Sequence, residues 1–192
     1  MRVNSGLCTT FTRTYEEEKE YKLSDLKPYE VDLLKRVIEI CWEAREKGNH
    51  PFGCLLADEE GNILMEQGNE EVTEGGDCTC HAETALMRKA TKKYTKEEMA
   101  HFTMYNCGDP CAMCAGAIYW GNLGRVVYIG RESELKKYTG DDLRNPTLDL
   151  PSRVVFASGQ KKVEVLGPFL ELEPELMKCH ENYWHPSENF KG

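Results

Sequence analysis

The sequence predicts an α/β domain built on one sheet with helices on both of its faces. Two observations predict it. After a first amphipathic helix the chain reads as β-hairpin, helix, strand, helix, strand, and strands joined through helices run parallel when they share a sheet. A chain of 192 residues that is 40% hydrophobic and 30% charged can also bury one substantial core, with no room for a second full domain. Residues 1–26 hold Thr-rich and Glu-rich pieces without a sustained period. They read as an N-terminal extension lying on the domain or partly mobile, which places the domain at 27–192.

The first helix is placed from about Tyr29 to Lys47, where Leu34, Val37, Ile38, Cys41 and Trp42 recur at helical steps before Gly48. The short apolar run Cys54–Ala57 is turned back by Asp58-Glu59-Glu60-Gly61-Asn62 into Ile63–Met65, a hairpin. Phe52, at the start of that run, suits either the core or an aromatic wall against a flat substrate. Gly75-Gly76-Asp77 connects to His81, after which Ala82, Ala85, Leu86, Met87 and Ala90 continue as a helix with His81 and Glu83 in its first turn. Thr95-Lys96-Glu97-Glu98 is a capping-box pattern that opens a short helix. Phe102–Asn106 reads as the strand that delivers a helix running from Cys111 to Gly121, and Arg125–Ile129 as the next strand.

Past Gly130 the pattern weakens. Thr139–Leu143 and Asn145-Pro146 read as loop, while Arg153–Ala157 and Lys162–Leu166 read as strands. A last helix from about Pro174 carries Leu176, Cys179 or His180, Tyr183 and Trp184 on one stripe, which either packs in the core or closes over a pocket. His180 and His185 read as packing or surface histidines rather than ligands.

Chemistry concentrates in Cys107-Gly-Asp-Pro-Cys111-Ala-Met-Cys114, taken together with Cys80-His81-Ala82-Glu83. With Asp109 as helix cap and Pro110 in the first position, the i, i+3 spacing of Cys111 and Cys114 brings both thiols to one face of the first turn. The helix N-terminus lowers the thiol pKa and favours the thiolates that a zinc ion needs. His81 can supply a third ligand. Two thiolates and one imidazole leave the fourth position open, as in a catalytic zinc site rather than a closed structural one. Glu83 is then placed to handle protons without being a ligand. A Cys-x-x-Cys alone fits a structural zinc edge, a redox pair or two buried thiols equally well. The order and separation of all the parts point to zinc catalysis and match the zinc-deaminase pattern His-x-Glu, Pro-Cys-x-x-Cys.

Nine cysteines, an odd number, at metal-like spacing in a chain of this length fit a reducing compartment. No apolar run approaches a membrane span and no basic start precedes an apolar leader, so the expectation is a cytoplasmic protein without a membrane partner. A formal net charge of −9, with no Lys/Arg cluster interleaved with aromatics, favours a small-molecule substrate over nucleic acid.

On these motifs the chain from about Leu34 to Gly130 resembles the cytidine/deoxycytidylate deaminase superfamily. The run Pro110-Cys-Ala-Met-Cys-Ala-Gly-Ala-Ile-Tyr-Trp120 is most similar to the branch that holds guanine, cytosine and tRNA adenosine deaminases. The resemblance implies a three-layer α/β/α fold with a five-stranded mixed sheet, assembled as a dimer or larger oligomer, of which a homodimer is the expectation here. It implies zinc held by His81, Cys111 and Cys114, Glu83 as proton shuttle, and Phe52 in the matching Pro-Phe-Gly segment. Asp142, in Gly140-Asp141-Asp142, resembles an acidic residue that takes part in purine handling in bacterial guanine deaminases. Eleven residues before the zinc histidine, where relatives carry a base-binding asparagine, this chain has Glu70, with Asn69 one residue away. An acceptor-only carboxylate there would favour ring N–H or amino donors. Asp109 stands where many relatives carry glutamate. The implied reaction is hydrolytic deamination of an amino-substituted heterocycle with release of ammonia, Glu83 acting first as base and then as acid. Guanine or a related purine is the first substrate expectation, followed by cytosine and then tRNA adenosine. A non-catalytic zinc-binding domain is the reading of another class, and the presence of Glu83 argues against it.

Overall fold

A computed structural model describes residues 21–187, and what was expected of residues 1–20 lies outside them. Helix α1 (Pro28–Glu46) starts on a proline, with the Glu30 carboxylate accepting the Lys27 N–H, and Gly48 follows its end at φ 87°. Strands β1 (Gly53–Ala57) and β2 (Ile63–Gly68) form the expected antiparallel hairpin. Helix α2 (Ala82–Lys93) leads to α3 (Lys96–His101), where Thr95 and Glu98 bond each other's backbone N–H as the capping pattern required. Strand β3 (Thr103–Gly108), helix α4 (Ala112–Trp120) and strand β4 (Arg125–Gly130) follow in the predicted order.

The sheet is five-stranded and mixed, in the order β2-β1-β3-β4-β5, with β5 spanning Glu164–Leu166. β1 is antiparallel to both of its neighbours, whereas β3, β4 and β5 run parallel because helices intervene. Alternate residues of each central strand face opposite layers. Leu55, Tyr105 and Val127 meet α1 on one side, while Leu56, Met104 and Val126 meet α2 and α4 on the other. Three layers result, as the resemblance implied. Gly53 permits the closest approach of α1 to the sheet, since a Cβ there would lie 2.7 Å from Ile40 Cγ2, and this seats the neighbouring Phe52.

Three readings after Gly130 change. Residues 132–139, which the sequence left without an element, form α5 (Glu132–Thr139), with Leu135 buried and Gly140 ending it at φ 58°. The segment 153–157, read as a strand, is helical: α6 spans Ser152–Ala157 and starts after Pro151. Ser152 and Phe156, one helical turn apart, are its buried pair, and the edge of β4 is taken by β5 instead. The last helix is short. α7 (Glu173–Met177) passes into a 3₁₀ turn at Lys178–His180, and Tyr183 and Trp184 lie beyond it on non-helical chain. No helix among the described residues is long and apolar enough to cross a membrane.

Candidate active site

Gly108 pairs with Gly130 at the carboxyl ends of β3 and β4, the edge of a parallel sheet where ligands bind. The N-termini of α2 and α4 meet there. His81 is the N-cap residue of α2 and Cys111 that of α4, both in extended backbone, and Cys114 lies in the first turn of α4. Asp109 does not cap α4 as the sequence suggested. Its carboxylate instead accepts the backbone N–H and the hydroxyl of Ser152 at the start of α6, and α4 begins later, at Ala112. The competing donors at a second helix start decide the outcome.

The three expected ligands converge. His81 Nδ1 lies 3.7 Å from Cys111 Sγ and 3.7 Å from Cys114 Sγ, and all three donor atoms fall within 4.8 Å of one another. Zinc bonds of about 2.3 Å to sulfur and about 2.0 Å to nitrogen, at tetrahedral angles, set an N–S edge of about 3.6 Å. The donors therefore fit zinc as they stand, and two thiols with an imidazole exclude the oxygen-seeking Mg²⁺ and Ca²⁺. Among the described residues no fourth side chain joins the cluster, so one corner is left for a non-protein ligand.

The site is electrostatically prepared. The hydrogen bond from Cys114, followed by contact with His81, holds the Cys111 thiol down to about 4. Hydrogen bonding to Cys111 raises His81 to about 9 despite burial. The sharing of a proton with Cys111, together with burial, pushes Cys114 up. Protons held this way are released when a cation takes their place.

Glu83 is buried beside these donors. Its Oε2 is 3.5 Å from Cys114 Sγ, while its Oε1 accepts a 2.8 Å hydrogen bond from Asn106 Nδ2. Asn106, on β3, also donates to the Gly108 carbonyl, so the strand that leads to Cys111 fixes the acid as well. Thr84 Oγ1 is 3.3 Å from Cys114 Sγ. Neither Asn106 nor Thr84 carried any signal in the sequence.

The four residues expected at the substrate are placed differently from one another. Phe52 packs on the core with its ring 5.2 Å from His180 and 6.1 Å from Trp184. Asn69 is buried, its N–H bonded to the Phe52 carbonyl and its Oδ1 accepting the Glu71 N–H. Glu70 points to Lys89, whose Nζ is 3.4 Å away in the third turn of α2. Asp142 is buried and its carboxylate is occupied, by the guanidinium and N–H of Arg144 and by the His185 N–H at 2.7 Å. It fastens the C-terminal segment, which seats Trp184 flat against His50 with ring centroids 5.1 Å apart. His50 itself is buried, with no partner for Nδ1, and burial together with Arg144 and His81 pushes it down to about 4.

Residues 29–130 match the model of the cytidine and deoxycytidylate deaminase zinc-binding region, a span that holds all three donors and Glu83. The chain belongs to this deaminase family. It is 34% identical to a protein named "Probable cytosine deaminase" from Schizosaccharomyces pombe, over 84% of this chain and 96% of that one. It is also 34% identical to the guanine deaminase of Bacillus subtilis, over 57% of this chain and 70% of the relative. Among solved structures, the guanine deaminase of Nitrosomonas europaea aligns with 95% of this chain and 96% of its own at a TM-score of 0.65 and 18% identity, a likeness of fold.

Two recesses lie at the strand ends beside the donor cluster of this family member. A cavity of about 160 Å³ lies against Cys111, Tyr128, Glu132 and Asp149, and a narrower one of about 20 Å³ lies between Phe52, Gly108, Glu132 and Leu176. Glu132 borders both. Burial, followed by the charge of Asp149 and Cys111, pushes its carboxyl up to about 7.

Proposed function

We propose that this family member is a zinc-dependent hydrolase that removes the amino group of a free nucleobase as ammonia. The observation that carries the reading is the pairing of a three-donor metal cluster with a buried carboxyl whose two oxygens are differently employed. A purely structural zinc site has no use for such an acid. Zinc at these donors supplies Lewis-acid activation of water near neutral pH. Glu83, held through Oε1 by Asn106, keeps Oε2 toward the metal cluster. From there it takes the proton of the attacking water, passes it to the ring nitrogen beside the amine-bearing carbon, and helps protonate the departing ammonia. Phe52 supplies a flat apolar wall, and Asn69, buried next to it, is the amide that reads the base, leaving Glu70 to Lys89.

Two substrates each have an observation in their favour. Cytosine is favoured by the relative from Schizosaccharomyces pombe, which aligns over 84% of this chain. Guanine is favoured by the Asp141-Asp142 segment and by the Bacillus relative, although Asp142 already has a full set of partners. A tRNA adenosine substrate, as in the name of a Haemophilus influenzae relative that is 27% identical over 80% of this chain, asks for a basic face, and the net charge of −9 works against one. The deciding experiment is ammonia release by the zinc-loaded protein from cytosine, guanine, adenine and their nucleosides. Glu83→Gln should retain zinc and fold while losing roughly 10²- to 10⁴-fold in turnover. A variant that kept wild-type activity would remove Glu83 from the mechanism.

The homodimer belongs to the same reading. Met113, Gly116, Ala117 and Trp120 recur at helical spacing on the outward side of α4, and Trp120 is 78% exposed. An apolar strip with no polar residue and open space at Gly116 is a surface suited to a second copy.

A further inference from the structure

Glu132 stands where the two strand ends separate. β3 and β4 finish side by side at Gly108 and Gly130. Three residues beyond the first comes Cys111, and two beyond the second comes Glu132. Glu132 borders both the cavity that touches Cys111 and the recess bordered by Phe52. Its neighbour Arg131 shares that position, but the Arg131 guanidinium is held by the Glu173 carboxylate. Asp109, in the same cavity, is held by Ser152. The Glu132 carboxyl, by contrast, is half-buried and has no hydrogen-bond or ion-pair partner among the described residues.

Resting on the reading of this site as a nucleobase deaminase, we propose that Glu132 is a substrate-recognition residue whose carboxyl accepts a hydrogen bond from a ring N–H of a free base. The ligand then supplies the missing donor. In a nucleoside that N–H is replaced by the sugar, which leaves the carboxyl unpaired, and sites built around a hydrogen bond reject analogues that lack it. The surroundings agree with this choice. The cavity, at about 160 Å³, is below the roughly 300–1,000 Å³ of sites for drug-sized ligands, so it suits a bare base. Asp149, lining the same cavity, adds negative charge that repels a phosphate and disfavours nucleotides.

The test uses the full-length zinc-loaded protein and pairs each base with the analogue methylated at the nitrogen that would carry the sugar: cytosine with 1-methylcytosine, and guanine with 9-methylguanine. KM and kcat are read from ammonia release, and Kd from equilibrium dialysis in a Glu83→Gln background where no turnover consumes the ligand. Glu132→Ala should raise KM and Kd for the preferred base by about 10- to 100-fold, the range of a hydrogen bond to a charged group, with zinc content and circular dichroism unchanged. It should leave the methylated analogue nearly unaffected, so that discrimination between the pair collapses. Glu132→Gln, which keeps a carbonyl acceptor, should recover part of the loss. Unchanged affinity in Glu132→Ala, or an equal loss for base and analogue, overturns the proposal, as does failure of every base to bind. Binding that depends on Glu132 without turnover overturns the deaminase reading and leaves this one standing. Turnover indifferent to Glu132 does the reverse.

Discussion

Asn106 works through a single amide group. One Nδ2 donates at 2.8 Å to Glu83 and at 2.7 Å to the Gly108 carbonyl, which ties the orientation of the acid to the strand end that leads to Cys111. Asn106→Ala should therefore lower kcat by about 10- to 100-fold, as when a supporting hydrogen bond behind a metal site is lost, with little change in KM and with zinc still bound. Steady-state kinetics and metal analysis on one preparation check this. His50 gives a second expectation at this scale. Its folded pKa of about 4 lies below the ordinary histidine value, so between pH 6.5 and 4 the unfolded chain takes up a proton that the folded chain refuses. Stability from this source is complete above pH 6.5 and declines as the pH falls, by about 2 kcal/mol between pH 7 and pH 5. Urea unfolding at both pH values should show a smaller decline in His50→Gln than in the wild type. The metal donors and Glu83 were legible in the sequence because their spacing is itself chemistry: i, i+3 thiols and a His-x-Glu at a helix start. Asn106, His50 and Glu132 were not, since a single residue acquires such a role only from what the tertiary fold sets beside it. Asp109 and Asp142 were legible as acids at the right place, but the donors that claim them, Ser152, Arg144 and the His185 N–H, lie in segments with little pattern of their own.

At the scale of elements, the ordered alternation from α1 to β4 could be read because each segment is long enough to show its period. The region after Gly130 could not. α6 contains only six residues, and its Val154-Val155-Phe156 run suits a strand as well as a helix until Ser152 and Phe156 are seen to share the buried side. α5 carries only end signals: acidic residues in its first turn, lysines in its last, and a glycine just past its end. Phe156→Ala should cost about 3–5 kcal/mol, measured by chemical denaturation, because it empties a core position under α4. The C-terminal segment fails as a helix because its contacts are those of a strap, with Arg144 donating to the Tyr183 carbonyl and Asp142 accepting the His185 N–H. Asp142→Asn should loosen that strap, seen as faster amide exchange at residues 183–187 with unchanged exchange in β3.

For the molecule as a whole, the exposed strip of α4 implies a specific change of mass. Trp120→Glu should lower the mass in light scattering from that of the proposed dimer to that of a monomer while leaving the zinc content intact, because Cys111 and Cys114 lie at the opposite end of that helix. The charge of −9 leads to a further expectation, RNA binding too weak to register in a filter-binding assay at physiological salt.

All three donors of the metal cluster come from the starts of α2 and α4, and both helices belong to a single layer; α1, α5 and α7 contribute none. An ion seated there acts as a rivet through one side of a sandwich. Chelation should accordingly quicken amide exchange at residues 82–93 and 112–120 long before it disturbs residues 28–46, which hold to the sheet through apolar packing and the Glu30 bonds to Tyr105 and Arg125 and supply no metal donor. Metal supply in the surroundings would then tune the stiffness of one half of the protein, while the other half keeps its shape as a template on which the loosened layer can settle again.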